Sequence, residues 1–308
     1  MKTISGKFNS VFYLILIFLF VSRSIYSLTE PYNPQKGFLF ADSIDPYTPG
    51  WQVGAIFQNP ATIFGATKHQ LKIDSSQNFF GYNQLNIGYV FPGKKVCLSV
   101  GYNSFYTSDI PRVGVITGST RPQSTDYFSD NYHDAALSIA TGLTPKTSLG
   151  VSLHYQRHQL DSSSADSFIG DFGVVHRPIK NIWFGLYTQN LIYSDYAWDS
   201  TGFIENLPRK CVLEAGFNWG LGVLSFATDF DNKKADIEGF LSYNFSVLGG
   251  LVFDKEQNVR RYSVGLRLEL EYFALNYKHS NYLTDALNLE QSLFGIAFKI
   301  DKGTDVDL

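Results

Sequence analysis

The chain has 308 residues, a net charge of −3 and a pI near 6.1, so it lacks the basic surface expected of a nucleic-acid-binding protein. Charged residues make up 17% of the chain, below the usual share in soluble domains, whereas aromatic residues reach 16%. Mean hydropathy is only −0.09, so a membrane-embedded form must place its apolar residues in alternation along strands.

The N-terminus resembles an export signal. Lys2 and Lys7 carry positive charge, and an unbroken apolar run of eleven residues follows at 11–21. This run is too short to span a bilayer as a helix. Small residues after it, up to Ser27, suit a signal peptidase. We therefore predict a signal peptide over 1–27 and an exported mature protein.

Beyond residue 67, apolar and polar residues alternate in short segments that are separated by clusters of Gly, Pro, Asn, Asp and Ser. This pattern is typical of consecutive antiparallel strands. The fourteen predicted strands lie at 68–75, 82–91, 95–106, 132–143, 147–159, 168–177, 182–193, 209–219, 222–230, 235–243, 245–253, 259–269, 272–280 and 288–300. A soluble sandwich and a membrane barrel both produce such alternation, so the strands alone do not distinguish them.

The lengths of the predicted connections favour a barrel. Every second connection is short, whereas the two longest, 107–131 and 194–208, both fall in the other set, as expected when periplasmic turns alternate with exterior loops. We predict an all-β, 14-stranded antiparallel transmembrane β-barrel over 68–300. A periplasmic or plug segment at 28–67 precedes it, and a tail follows at 301–308.

The alternation also assigns faces. The charged residues predicted to face the lumen are Asp171, Glu214, Glu238, Arg261, Arg267, Glu269 and Lys278. They carry both signs, as a structural network would, although a conducting polar path is the alternative. Because an unpaired buried charge is costly, we expect Arg267 to be held by Glu214, Glu238 or Glu269.

Aromatic residues gather near the two longest predicted loops. Those expected at the exterior are Tyr127, Phe128, Tyr132, Tyr196 and Trp198. Such residues suit an interfacial girdle, and exposed aromatic side chains also anchor protein partners.

No catalytic, cofactor or metal site is predicted. His154 and His158 are four residues apart on a strand, about 13 Å, which is too far to share a metal ion. His133 and Asp134 invite a catalytic triad, but no serine motif accompanies them. The two cysteines, Cys97 and Cys211, are predicted at opposite ends of the barrel and therefore unpaired.

Two stretches of sequence resemble known families. Asn59-Pro60-Ala61, just before the first predicted strand, resembles the NPA element that precedes the barrel in the FadL family of hydrophobic-compound transporters. The segments LGVSLHYQRHQLD, FIGDFGVVHRP, NIWFGLYTQNL and NLPRKCVLEAGF then follow in the order typical of the related PorV/PorQ barrels. The resemblance implies a fourteen-stranded barrel in the bilayer of a bacterial outer membrane.

The resemblance leaves two functions open. In the first, a PorV/PorQ-like factor assists protein secretion or surface delivery and binds secreted proteins or a secretion complex. In the alternative, a FadL-like channel takes up small hydrophobic compounds past the plug. The motif order and the long aromatic segment 107–131 favour the secretion factor.

Overall fold

The computed structural model describes residues 56–78, 82–114, 123–193, 195–207, 209–229, 232–242, 244–283 and 288–300. The predicted signal peptide, most of the predicted plug segment and the tail lie outside these residues. None of the helices in the described part of the chain is long and apolar enough to cross a membrane.

The described residues contain sixteen strands. They are β1 (His69–Asn78), β2 (Asn83–Phe91), β3 (Val96–Gly114), β4 (Gln123–Thr144), β5 (Thr147–Leu160), β6 (Ser163–Ile179), β7 (Ile182–Tyr193), β8 (Tyr196–Ala197), β9 (Ile204–Glu205), β10 (Lys210–Asn218), β11 (Gly222–Thr228), β12 (Lys233–Ser242), β13 (Phe245–Phe253), β14 (Val259–Glu269), β15 (Phe273–Leu283) and β16 (Asn288–Ile300). All but β8 and β9 form one closed antiparallel barrel, which confirms the predicted 14-strand fold.

The barrel closes where its first strand meets its last. β1 pairs with β16 along its whole length, from the pair His69 and Ile300 to the pair Asn78 and Gln291. Every other neighbour in the barrel follows in chain order except β7 and β10, which pair directly because β8 and β9 form a separate small hairpin between them. No barrel strand is left with an unpaired edge in lipid, where free backbone groups are costly.

The two faces of the wall match the predicted alternation. On β14, Tyr262, Val264 and Leu266 are exposed on the outer surface, whereas Arg261 and Arg267 are buried inside. Outward apolar and inward polar side chains are the arrangement that lipid requires. The pairing register on this strand therefore agrees with the sequence period.

The prediction of a loop over 107–131 is wrong for most of this segment. β3 continues to Gly114 and β4 begins at Gln123, so the two strands form a long ribbon at this end of the barrel. A bulge between Thr107 and Ile110 accommodates the polar residues there, and Asp109 takes a left-handed φ of 60°. Pro and Asp had indicated a loop, but a bulged ribbon tolerates both.

The end of the barrel that carries this ribbon and the β8–β9 hairpin is called the mouth below. The other end carries the short turns, such as Thr144 to Thr147 between β4 and β5.

The face assignment predicts how the barrel responds to charge. Replacing the outward Leu266 by Lys should lower the free energy of unfolding in lipid by about 2 to 4 kcal/mol, since a cation would enter the apolar band. The matched change Leu221→Lys, in the turn between β10 and β11, should cost only about 0 to 1 kcal/mol. Urea titration in bilayers measures both, and equal costs would contradict the assigned faces.

Candidate functional site

A short stretch of chain before β1, residues 56–67, lies inside the barrel and is called the plug segment. Its residues from Ile56 to Ile63 are buried, and Pro60–Gly65 form a 3₁₀ helix. Asn59 caps this helix, because its side-chain oxygen accepts a hydrogen bond from the Ala61 backbone N–H at 3.2 Å. Pro60 follows where a missing N–H costs nothing. The NPA element thus acts as a helix start.

The barrel wall facing the plug segment is made of small residues. A Cβ atom added at Gly150 would overlap the backbone of Pro60, and one added at Gly173 would overlap the side-chain oxygen of Asn59. Further glycines approach the rings of Phe57 and Phe64 in the same way: Gly101 and Gly142. These glycines let one backbone pack against another.

Hydroxyl groups on β5 hold the plug segment by its backbone. Ser148 Oγ donates to the carbonyl of Ala61 at 2.9 Å, and Ser152 Oγ donates to that of Ile56 at 3.4 Å. Such bonds satisfy carbonyls that a single 3₁₀ turn leaves unpaired. The two hydrogen bonds depend on the path of the plug backbone and hardly on the plug side chains.

Above the plug, towards the mouth, charged and amide side chains form a polar collar. His154 Nδ1 lies 3.0 Å from Asp134 Oδ1, and His154 Nε2 lies 3.4 Å from Asp171 Oδ2. Gln156 Nε2 donates to the second oxygen of Asp134 at 3.0 Å. His154 is almost fully buried, so the two carboxylates compensate its loss of water.

A bulge in β7 connects this collar to the plug segment. Asn190 takes a left-handed φ of 58°, and its backbone N–H donates to Asp171 Oδ1 at 2.8 Å. The preceding residue, Gln189, donates from Nε2 to the carbonyl of Phe57 at 3.4 Å. The bulge thus turns two neighbouring residues towards two different layers of the lumen.

An apolar cluster fills the mouth and is called the mouth cluster. Its buried members are Phe105, Tyr132, Ala165, Ile169, Tyr196 and Leu207, with Tyr82 and Trp198 packed against them. The rings of Tyr82 and Phe105 stack with centroids 4.4 Å apart. The Tyr196 hydroxyl donates to Gln156 Oε1 at 2.8 Å, which joins the cluster to the collar.

The mouth cluster corrects the predicted exterior aromatics. Tyr132 and Tyr196 are only 5% and 4% exposed, so they are not presented to a partner. Trp198 packs on the same cluster, and its Nε1 lies 3.3 Å from Glu205 Oε2. Tyr127 is 60% exposed, as expected, but it lies on β4 with Phe128 rather than in a loop. The hairpin carrying Tyr196 folds into the mouth instead of away from it.

The β8–β9 hairpin is tied to the start of β6. Asp199 accepts hydrogen bonds from the Ser164 backbone at 2.9 Å, from Ser164 Oγ at 3.0 Å and from Ser163 Oγ at 3.0 Å. These bonds favour the charged carboxylate and hold the pKa of Asp199 below its ordinary value of 3.8.

The seven charges predicted to form one lumen network lie in several places. Asp171 belongs to the collar, and Glu214 contacts the plug segment. Arg261 and Lys278 are buried on the inner face of β14 and β15. These four residues thus lie on four different strands, β6, β10, β14 and β15.

The other three, Glu238, Arg267 and Glu269, come together, so Arg267 is held as expected. Arg267 bridges Glu238 at 3.3 Å and Glu269 at 2.7 Å, and Lys299 also pairs with Glu269. Two similar inward pairs were not predicted: Lys72 with Asp74 and Lys234 with Asp236, both at 2.7 Å. Each pair is spaced by two residues on one strand, and this spacing was a usable signal.

The described residues hold no group of three or more His, Cys, Asp or Glu side chains arranged to bind a metal ion. Cys97 and Cys211 are both free thiols. Cys97 is buried against the plug segment, with its Sγ 4.0 Å from the Phe64 carbonyl oxygen.

Comparison with solved structures relates this fold to hydrophobic-compound channels. The Ralstonia pickettii toluene transporter TbuX matches with a TM-score of 0.59 at 10% identity, over 83% of this chain and 95% of its own. The P. putida toluene transporter TodX matches with a TM-score of 0.59 at 11% identity, over 81% and 93%. A FadL homologue from Pseudomonas aeruginosa reaches 0.53 at 10% identity, over 83% and 95%.

No protein-family model and no curated protein sequence matches the chain. At identities near 10% the structural matches establish a shared fold, and the matched proteins are transporters or their homologues rather than enzymes. The chain thus shares the barrel architecture of FadL-type channels.

The close approach of plug and wall predicts the effect of one methyl group. Gly150→Ala should destabilise the folded barrel by about 1 to 3 kcal/mol, because the new Cβ overlaps the Pro60 backbone. Gly239→Ala is the matched control, since a Cβ there meets nothing within 4 Å. Urea unfolding compares the two, and equal stabilities would mean that the plug is not packed on β5.

The lowered pKa of Asp199 predicts loosening of the hairpin in acid. The charged Asp199 carboxylate stabilises the hairpin fully above the ordinary pKa, and this stabilisation is lost as the pH falls through and below about 3.8. Acrylamide quenching of tryptophan fluorescence between about pH 5 and pH 2 should therefore rise in the wild type through exposure of Trp198. Asp199→Asn should remove this rise in quenching at low pH. A rise of undiminished size in the variant would mean that another carboxyl group causes it.

Proposed function

We propose that this protein admits small hydrophobic compounds through the outer membrane of a bacterium, as a FadL-like channel. The observation that carries the proposal is the layering of one lumen, in which a buried apolar mouth cluster lies above the polar collar and the seated plug segment. A barrel that served only as a scaffold has no need of an apolar site inside its polar lumen. The toluene transporters TbuX and TodX, which share the fold, are consistent with this use.

The aromatic rings of the mouth cluster suggest the kind of compound. Rings from Tyr82, Phe105, Tyr132 and Tyr196 line it, and a compact ring-shaped molecule stacks well on such surfaces. The collar beneath contains buried carboxylates and an imidazole, so passage beyond the cluster requires rearrangement there or at the plug. We therefore assign the cluster to capture and the lower layers to control.

The secretion-factor reading loses its main support. It depended on the motif order and on the long aromatic segment 107–131, yet β3 and β4 continue through most of that segment. The aromatic anchors expected beside it, Tyr132 and Tyr196, are buried in the mouth. The solved structures that share the fold are hydrophobic-compound transporters. Transport of small molecules accounts for the buried rings without a further assumption.

Substitution of two tyrosines distinguishes a hydrophobic-compound channel from a secretion factor. Tyr196→Ala should weaken binding of toluene by about fivefold to tenfold, since one buried aromatic contact of about 1 kcal/mol is lost. Tyr127→Ala, at an exposed position of β4, should leave toluene binding unchanged. Quenching of tryptophan fluorescence in the purified protein measures both. Absence of toluene binding, together with co-purification of a secretion complex that depends on Tyr127, would reverse the assignment.

A further inference from the structure

We propose that Glu214 is the latch that keeps the plug segment in place, with Asn59 as its counterpart on the plug. The inference deepens the proposed function and rests on it in one respect, because passage through the lumen requires the plug to shift. The latch itself is a statement about a contact and is testable without any transported compound.

The contact joins the plug segment to β10, which is separated from β6 by β7 alone. Asn59 Nδ2 donates to Glu214 Oε1 at 2.8 Å, and it also lies 3.4 Å from the Val174 carbonyl oxygen. At the same time Asn59 Oδ1 caps the plug helix through the Ala61 N–H. One amide thus orders the helix with its oxygen and fastens it with its nitrogen.

Glu214 differs from the other residues that hold the plug segment. Ser148, Ser152 and Gln189 all donate to backbone carbonyls, and all lie on β5 or β7. Within the described residues, the bond from Asn59 to Glu214 is the one side-chain-to-side-chain hydrogen bond between plug segment and wall. It is also the bond that ties the plug to β10.

The surroundings hold the Glu214 carboxylate in position. A Cβ atom added at Gly185, its partner on β7, would overlap Oε1, so this glycine makes the space that the carboxylate occupies. On the other side, Lys234 lies two strands away in the same row of residues as Glu214. Lys234 is itself fixed by Asp236 at 2.7 Å. Glu214 is therefore a positioned acceptor and not a mobile side chain.

The chain contains its own reporter of plug position. Cys97 is fully buried beside the Phe64 carbonyl, so its thiol becomes accessible when the plug segment leaves the wall. Cys211→Ser removes the second free thiol. The rate at which N-ethylmaleimide labels Cys97 in the folded, detergent-solubilised barrel then measures the fraction of time the plug spends away from its site.

Three variants in the Cys211→Ser background test the latch. Glu214→Leu removes the acceptor and should speed labelling of Cys97 about tenfold or more, because the buried Asn59 amide loses its hydrogen-bond partner. Asn59→Asp keeps the cap on Ala61 but sets two carboxylates against each other, and it should speed labelling at least as much. The double variant Asn59→Asp with Glu214→Gln restores a donor and an acceptor in reversed order, and it should return labelling towards the wild-type rate.

A matched control separates the latch from general loosening. Glu290→Leu removes an exposed carboxylate from β16, far from the plug in the chain, and should leave the labelling rate unchanged. Heat-modified migration on gels checks that every variant folds. A folded Asn59→Asp variant that labels at the wild-type rate would overturn the latch, and so would failure of the double variant to slow labelling.

Transport is measured separately in the same variants. Faster labelling of Cys97 without any toluene entry into proteoliposomes would support the latch and contradict the proposed channel. Toluene entry with unchanged labelling in Glu214→Leu would support the channel and contradict the latch.

Discussion

A polypeptide that crosses lipid must satisfy its own backbone N–H and C=O groups, and closure of the sheet by β1 and β16 is the interaction on which everything else depends. Closure makes one face apolar and hides the other inside, so the inner face is free to be polar. It also creates a lumen that must be filled or lined. The chain fills this lumen differently on its two sides.

On the side of β3 to β7, glycine and serine admit another stretch of backbone, and the plug segment occupies the space that side chains would otherwise take. Along β12 to β16 and β1, long charged side chains reach inwards and pair, as Arg267 does with Glu238. Buried ion pairs add little net stability, because desolvation offsets their attraction. Their role is to occupy the lumen with groups that satisfy one another. Glu214 lies where the two arrangements meet.

Period-two alternation was sufficient to predict the strand count and the inward direction of Arg267, since lipid enforces the alternation on every strand. The barrel itself followed from the alternation of short and long connections. It was not sufficient for the collar, because bringing Asp134 to His154 depends on the register between two strands. It also misplaced Tyr196, because the folding of a hairpin into the mouth is decided by tertiary packing. The alternation of apolar and polar residues therefore predicted the barrel wall well, but it predicted poorly what lies inside the lumen.

The position of the plug segment in the chain has a consequence for assembly. Except for Glu214, the residues named as its partners lie on β3 to β7, so most of its site exists once those strands have paired. The last step, pairing of β1 with β16, joins residues from 69 to 300 and carries the largest loop-closure entropy in the molecule. The plug segment can thus pack against the N-terminal strands while they still form an open sheet. It need not be threaded into a closed barrel.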